Sequence, residues 1–246
     1  MMKSHQRFKL SILVCVLCAP LWFNPLRAED SAAALGDLEA KITADPDNLR
    51  LGSDYRQMVI RLGEYDRAIG FFEKLVAAGP NHANAQLNFG FTYVDKVPTA
   101  GSITQVLLAN NALKAFSKSI ELKPSWIAHY TRGNSYLYWP VIFGHAPDAI
   151  ADLEAAMKMQ SGKPQPYYVR TWVALGDGYW KLDNLEKAKK TWSDGLKQFP
   201  DNTALKARLA KDGDDLKAVI DDTYDITRRV DTSLKELFTS EGAAKQ

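Results

Sequence analysis

Apolar residues along this chain recur three and four places apart over short stretches, and prolines separate many of those stretches. That spacing lays the apolar groups on one face of a helix, whereas a half-buried strand would alternate. The clearest stretch runs Trp172-x-x-Leu175-Gly176-x-x-Tyr179, then Ala188-x-x-x-Trp192, then Pro200. It predicts two helices joined by a turn. Gly176 is poorly suited to a helix interior, by about 1 kcal/mol relative to Ala, unless close approach of a second helix requires it. Ala188 supplies the small residue on the facing helix, and a proline stops that helix because it lacks an N–H and restricts the residue before it.

The same order recurs. Pro46 and Pro80 are 34 residues apart, as are Pro166 and Pro200. The first unit has Tyr55 and Val59 on its packing face, Gly63 and Tyr65 in a turn, and Ala68-x-x-x-Phe72. The second has Phe89-Gly90-x-x-Tyr93, Ala112-x-x-x-Phe116 and Pro124, with ten extra residues between its helices. The third has Tyr130-x-x-Gly133-x-x-Tyr136, Ala149-x-x-x-Leu153 and Pro166. Ala34-x-x-x-Leu38 ahead of Pro46 fits half a unit. This pattern resembles the tetratricopeptide repeat (TPR), whose period is 34. The resemblance implies an all-α fold, a right-handed superhelix of stacked helix-turn-helix units. It divides the chain into a half unit at 30–46, units at about 49–82, 83–125, 126–168 and 169–202, and a closing helix at 202–212, the array as a whole filling 29–213. One helical pair cannot bury its apolar face alone, so such units stack.

Two insertions set this chain apart. Val97–Ser102 reads as loop, and 103–115 extends the second helix of its unit backwards. Trp139-Pro140-Val141-Ile142-Phe143 is unusually apolar for a connection: it either packs across the array or meets a partner. Beyond Gly213, apolar residues at Leu216, Val219, Ile220, Ile226, Val230, Leu234 and Leu237 predict one amphipathic helix within 214–246. It would cap the last repeat, mediate dimerisation or dock a partner.

The other end reads differently. Lys3, Arg7 and Lys9 precede an apolar run from Leu10 to Phe23, and Arg27-Ala28 follow, the layout of a secretory signal peptide over 1–28. Fourteen helical residues reach about 21 Å, short of the roughly 30 Å hydrocarbon core. Cleavage after Ala28 is expected, with no stable membrane span afterwards and an extracytoplasmic location, periplasmic in a bacterium. Retention of the leader as an anchor is the alternative. Both cysteines, Cys15 and Cys18, lie in this leader, so the remainder has no thiol chemistry. The formal charge of +2 also depends on it: beyond residue 28 there are 27 basic and 29 acidic residues. A nearly neutral body gives no electrostatic footprint for nucleic acid.

Candidate chemistry is sparse. His82, His129 and His145 form no ligand pattern, and no G-x-S-x-G, P-loop or G-x-G-x-x-G occurs. Asp214-Asp215 and Asp221-Asp222 suit a solvated helix face. No enzyme activity, metal or cofactor is expected. The TPR resemblance implies binding instead: the first helix of each unit lines a concave groove that takes another protein's segment. Carried over by position, the groove candidates are Gln57 and Arg61, then Asn88, Phe91 and Asp95, then Tyr130, Asn134 and Tyr138, then Arg170, Asp177 and Trp180. Such a mixture of aromatic, amide and charged groups can stack on and hydrogen-bond an extended backbone. The carboxylate-gripping arrangement of chaperone-binding TPRs is not expected. Ser53, Gln57, Ile127 and Thr131 stand in its places, and only Asn88 agrees. The expected function is an exported scaffold or adaptor. Self-association through the C-terminal helix and, by analogy alone, an accessory role in envelope or cytochrome assembly are the alternatives.

Overall fold

The computed structural model describes residues 25–243, with side chains from residue 30 to residue 239. The expected leader lies almost entirely outside the described residues. The described residues form twelve α-helices and no strand. They are α1 (Pro25–Ala44), α2 (Leu49–Leu62), α3 (Tyr65–Ala78), α4 (Ala83–Lys96), α5 (Ser102–Leu122), α6 (Trp126–Tyr136), α7 (Ala146–Lys158), α8 (Val169–Lys181), α9 (Leu185–Gln198), α10 (Thr203–Leu209), α11 (Gly213–Thr223) and α12 (Lys235–Ala243).

Local chemistry starts several of them. Asn48, Ser125, Asn184 and Asn202 each accept a backbone N–H in the first turn of α2, α6, α9 and α10. These caps satisfy donors that a helix start leaves orphaned. Gly63 closes α2 in the left-handed region at φ 76°.

The helices pair as α2/α3, α4/α5, α6/α7 and α8/α9, with α1 as a lone half ahead of them. Small residues govern how closely each pair approaches. A Cβ on Gly90 would lie 2.3 Å from the Phe116 ring, and one on Gly176 2.1 Å from Trp192. Ala68, Ala112, Ala149 and Ala188 are all buried opposite. The core is a row of three apolar clusters, one beneath α1–α4, one between α4, α5 and α6, and one from α6 to α11. Each repeat therefore buries its apolar faces against its neighbours.

Two expectations change. Pro166 does not end α7, which stops at Lys158; a turn containing Gly162 at φ 74° follows, and Pro166 opens a 3-10 turn instead. The C-terminal stretch is not one helix. α11 ends at Thr223, residues 225–234 form no helix, and α12 starts at Lys235. Two aspartates explain the break. Asp225 Oδ1 accepts from the backbone N–H and the hydroxyl of Thr227, and Asp231 Oδ1 accepts from the backbone N–H of Ser233. Such side-chain bonds offer the backbone an alternative to the helix. The stripe expected to cap, dimerise or dock is spent within the chain only in part: Leu216 and Ile220 are buried against the last repeats and Leu234 packs on the cluster of α4–α6, while Ile226 stays exposed.

Candidate functional site

The first helices of the four pairs, α2, α4, α6 and α8, carry the expected groove residues, and the non-helical segment 225–234 lies across them. At one end, Ser53 on α2 donates its hydroxyl to the carbonyl of Ser233 at 2.6 Å, and Arg56 donates Nη2 to the carbonyl of Thr232 at 3.0 Å. The Thr232 hydroxyl donates to Asp95 on α4 at 2.5 Å. Arg229 donates to the Asp95 carbonyl and to the Tyr65 hydroxyl. Directly after the segment, α12 continues the contact: Glu236 pairs with Arg170 on α8, and the Phe238 ring lies under the Arg50 guanidinium of α2. The segment is thus a strap held across the groove by both its backbone and its side chains.

Two buried ion pairs anchor this arrangement. Arg56 meets Asp95 at 3.1 Å, donates Nε to Asn88 and lies over the Phe91 ring. Asp177 on α8 takes both prongs of Arg208 from α10, at 2.5 and 2.7 Å, and the Tyr224 hydroxyl at 2.9 Å. Burial pushes both carboxyls up, while Arg56 and Arg208 pull them back toward ionisation. Burial, reinforced by Asp177, also raises the Tyr224 phenol well above its ordinary range, so it remains a donor. Charges this deep are held only where partners satisfy them, and removing one partner costs about 3–5 kcal/mol.

The expected groove residues divide accordingly. Asn88, Phe91, Asp95 and Asp177 are buried and engaged within the chain, so a partner meets them only if the strap or α10 moves. Tyr130 stacks on Trp126 with the rings parallel and 5.2 Å apart. Tyr138 packs edge-on against Tyr224, and burial raises its phenol to about 12. Trp180 packs on the core of the last repeats. Gln57 and Asn134 are half-buried and their side chains make no hydrogen bond among the described residues, while Arg61 is exposed. Asn134 shares a cavity with Phe91, Asp95, Tyr130, Tyr138 and Arg170 beneath the strap. Gln57, Arg61, Asp177 and Trp180 do not line it.

Ser53, Arg56, Tyr224, Arg229 and Thr232 complete the site and were not among the sequence candidates. A signal for the strap existed in the pair Asp225-Ile226-Thr227 and Asp231-Thr232-Ser233, two chances for aspartate to bond a backbone N–H two residues on. Arg56 had no such signal.

No family model matches the chain, and no curated protein matches it either. Solved structures do. The chain is similar to TTC0263, a TPR protein of Thermus thermophilus, with 21% identity over 76% of this chain and 92% of that one and a TM-score of 0.52. Two structures of MamA align with TM-scores of 0.51 and 0.50 at 21% and 19% identity, covering 78% and 71% of this chain and 97% and 86% of theirs. These likenesses show the TPR fold.

Proposed function

We propose that this chain is an exported scaffold whose concave groove recognises an extended segment of another protein, and that residues 225–238 fill the groove until that partner arrives. The observation that carries this reading is the grip of Ser53 and Arg56 on two successive backbone carbonyls, Thr232 and Ser233. Main-chain recognition of an extended segment is the chemistry a peptide groove needs. Asp95 adds a preference for a hydroxyl side chain beside those carbonyls. The signal-peptide layout of residues 1–28 supports the export part of the proposal.

The strap predicts its own replacement. A synthetic peptide of residues 226–238 should bind the protein truncated after Tyr224 with an affinity of about micromolar, roughly −8 kcal/mol, as read by fluorescence anisotropy. The full chain should bind it at least tenfold more weakly, because the tethered strap competes at a high local concentration. In the truncated protein Arg56→Met should remove binding. A truncated protein with an intact helical circular-dichroism spectrum and no peptide binding rejects the groove.

A further inference from the structure

We infer that the cavity of about 350 Å³ between the strap and the concave face is a binding site for a single aliphatic acyl chain with an anionic head group. This inference stands apart from the peptide groove, because it uses the space the strap covers and not the bonds the strap makes.

The volume falls within the roughly 300–1,000 Å³ of small-molecule sites, and apolar side chains make up most of the wall. Both insertions that interrupt the repeat build that wall. The backward extension of α5 contributes Val106 and Ala109, and the loop after α6 contributes Trp139 and Phe143. The strap roofs it with Ile226, Val230 and Leu234. Val106, Phe143 and Ile226 line the cavity and are also exposed, which places them at its mouth. Next to them stand Ile103, 82% exposed, and Ile142, 90% exposed. Apolar surface therefore continues from the interior to the outside on both walls.

A chain without polar atoms suits this space better than a peptide. Asp95 is spent on Arg56 and Thr232, Gln105 on the Val97 carbonyl, and Ser135 on the Thr131 carbonyl. The Asn134 amide, the Ser102 and Thr131 hydroxyls and the Trp139 indole N–H are left over, few groups where a peptide backbone would bring a run of donors and acceptors that need partners. Around the mouth, Arg228 is paired with Asp222 and Asp225, Arg229 is bonded to the Asp95 carbonyl and the Tyr65 hydroxyl, Glu236 is paired with Arg170, and Asp231 accepts from the Ser233 N–H. Lys235, exposed and in no ion pair among the described residues, is the cation left to meet an anionic head.

Calorimetric titration of the full chain with octanoate, decanoate and dodecanoate tests the site. Saturable one-site binding is expected, strengthening by roughly fifteenfold for each two methylenes, since one buried methylene is worth about a factor of four. Ala109→Phe fills the space and should weaken dodecanoate binding at least tenfold with the thermal melt preserved. Should that variant misfold, Val106→Asp at the half-exposed mouth serves instead. Flotation with phosphatidylcholine vesicles distinguishes the sources of the chain. Co-flotation that Ile142→Ser reduces points to a chain drawn from a bilayer, and no flotation points to a free acyl chain. No saturable binding, binding indifferent to chain length, or binding unchanged in the wall variant that folds would overturn the inference.

Discussion

At the scale of single residues, the four repeat units depend on atoms that are missing. Gly176 lies so close to Trp192 that a methyl group has no room, and the indole cannot retreat because it is fully buried. Gly176→Ala should lower stability by about 2–3 kcal/mol, the usual cost of overpacking, despite alanine's better helix propensity. Gly70 is the control. It lies inside α3, where an added methyl would meet nothing within 4 Å, so Gly70→Ala should raise stability by about 0.5–1 kcal/mol. Thermal melts of the two variants check both signs. A different residue carries the pH dependence. Glu39 on α1 accepts both prongs of Arg67 at 2.8 and 3.0 Å and the Tyr55 hydroxyl at 2.7 Å. Burial opposes its ionisation, yet these bonds outweigh burial and hold the carboxyl below its ordinary 4.5. A depressed acid stabilises the fold above its unfolded value and loses that contribution as pH falls through the folded one. Glu39→Gln should therefore cost about 1 kcal/mol near neutral pH, allowing for partial solvation of the pair, and the gap to the parent should close below about pH 4.5 in acid titrations of unfolding. The glycines were legible because their spacing is fixed relative to Tyr and Ala. Arg56 and Arg208 were not, because an isolated arginine on an amphipathic helix reads the same whether it faces water or a buried carboxylate.

At the scale of elements, helix pairs could be read from the chain and the strap could not. A pair is local: apolar period, turn and terminating proline all lie within one repeat. The strap is defined by what it touches, and Thr232 meets Asp95 at a separation of 137 residues. Hydrophobic spacing alone favoured a helix there, since Ile226, Val230, Leu234 and Leu237 keep a helical period. The two aspartate turns and the polar groups of α2 and α4 outcompete it. The groove candidates were legible as a row on the first helices, but their partners were not, so Asn88, Asp95 and Asp177 could not be recognised as already occupied. Thr232→Val keeps the shape of the side chain and removes one bond, leaving Asp95 with an unmet acceptor beside Arg56. It should cost about 1–3 kcal/mol of strap docking and raise hydrogen exchange at residues 229–234 without altering exchange in α8 and α9.

At the scale of the whole molecule, the strap changes how the repeats cooperate. In an array where each unit touches only its neighbours, unfolding can start at either end and spread, so stability is close to a sum of repeat and interface terms. Here Ser53 and Arg56 in the first pair are bonded to residues 180 and 176 positions away. Those residues continue from α11, which packs on the last repeats. The first and last units are therefore tied through one segment, and the α1–α3 end cannot fray without giving up the buried Arg56 contacts. Urea unfolding of the full chain should follow a single transition by far-ultraviolet circular dichroism and by tryptophan fluorescence. That comparison is informative because all the tryptophans beyond the leader lie between Trp126 and Trp192, in the third and fourth units. Truncation after Tyr224 should separate the two curves, the dichroism falling first as α1–α3 melt while the fluorescence midpoint holds. Coincident curves in the truncated protein would mean that nearest-neighbour packing alone couples the array, and that the strap fills the groove without joining its ends.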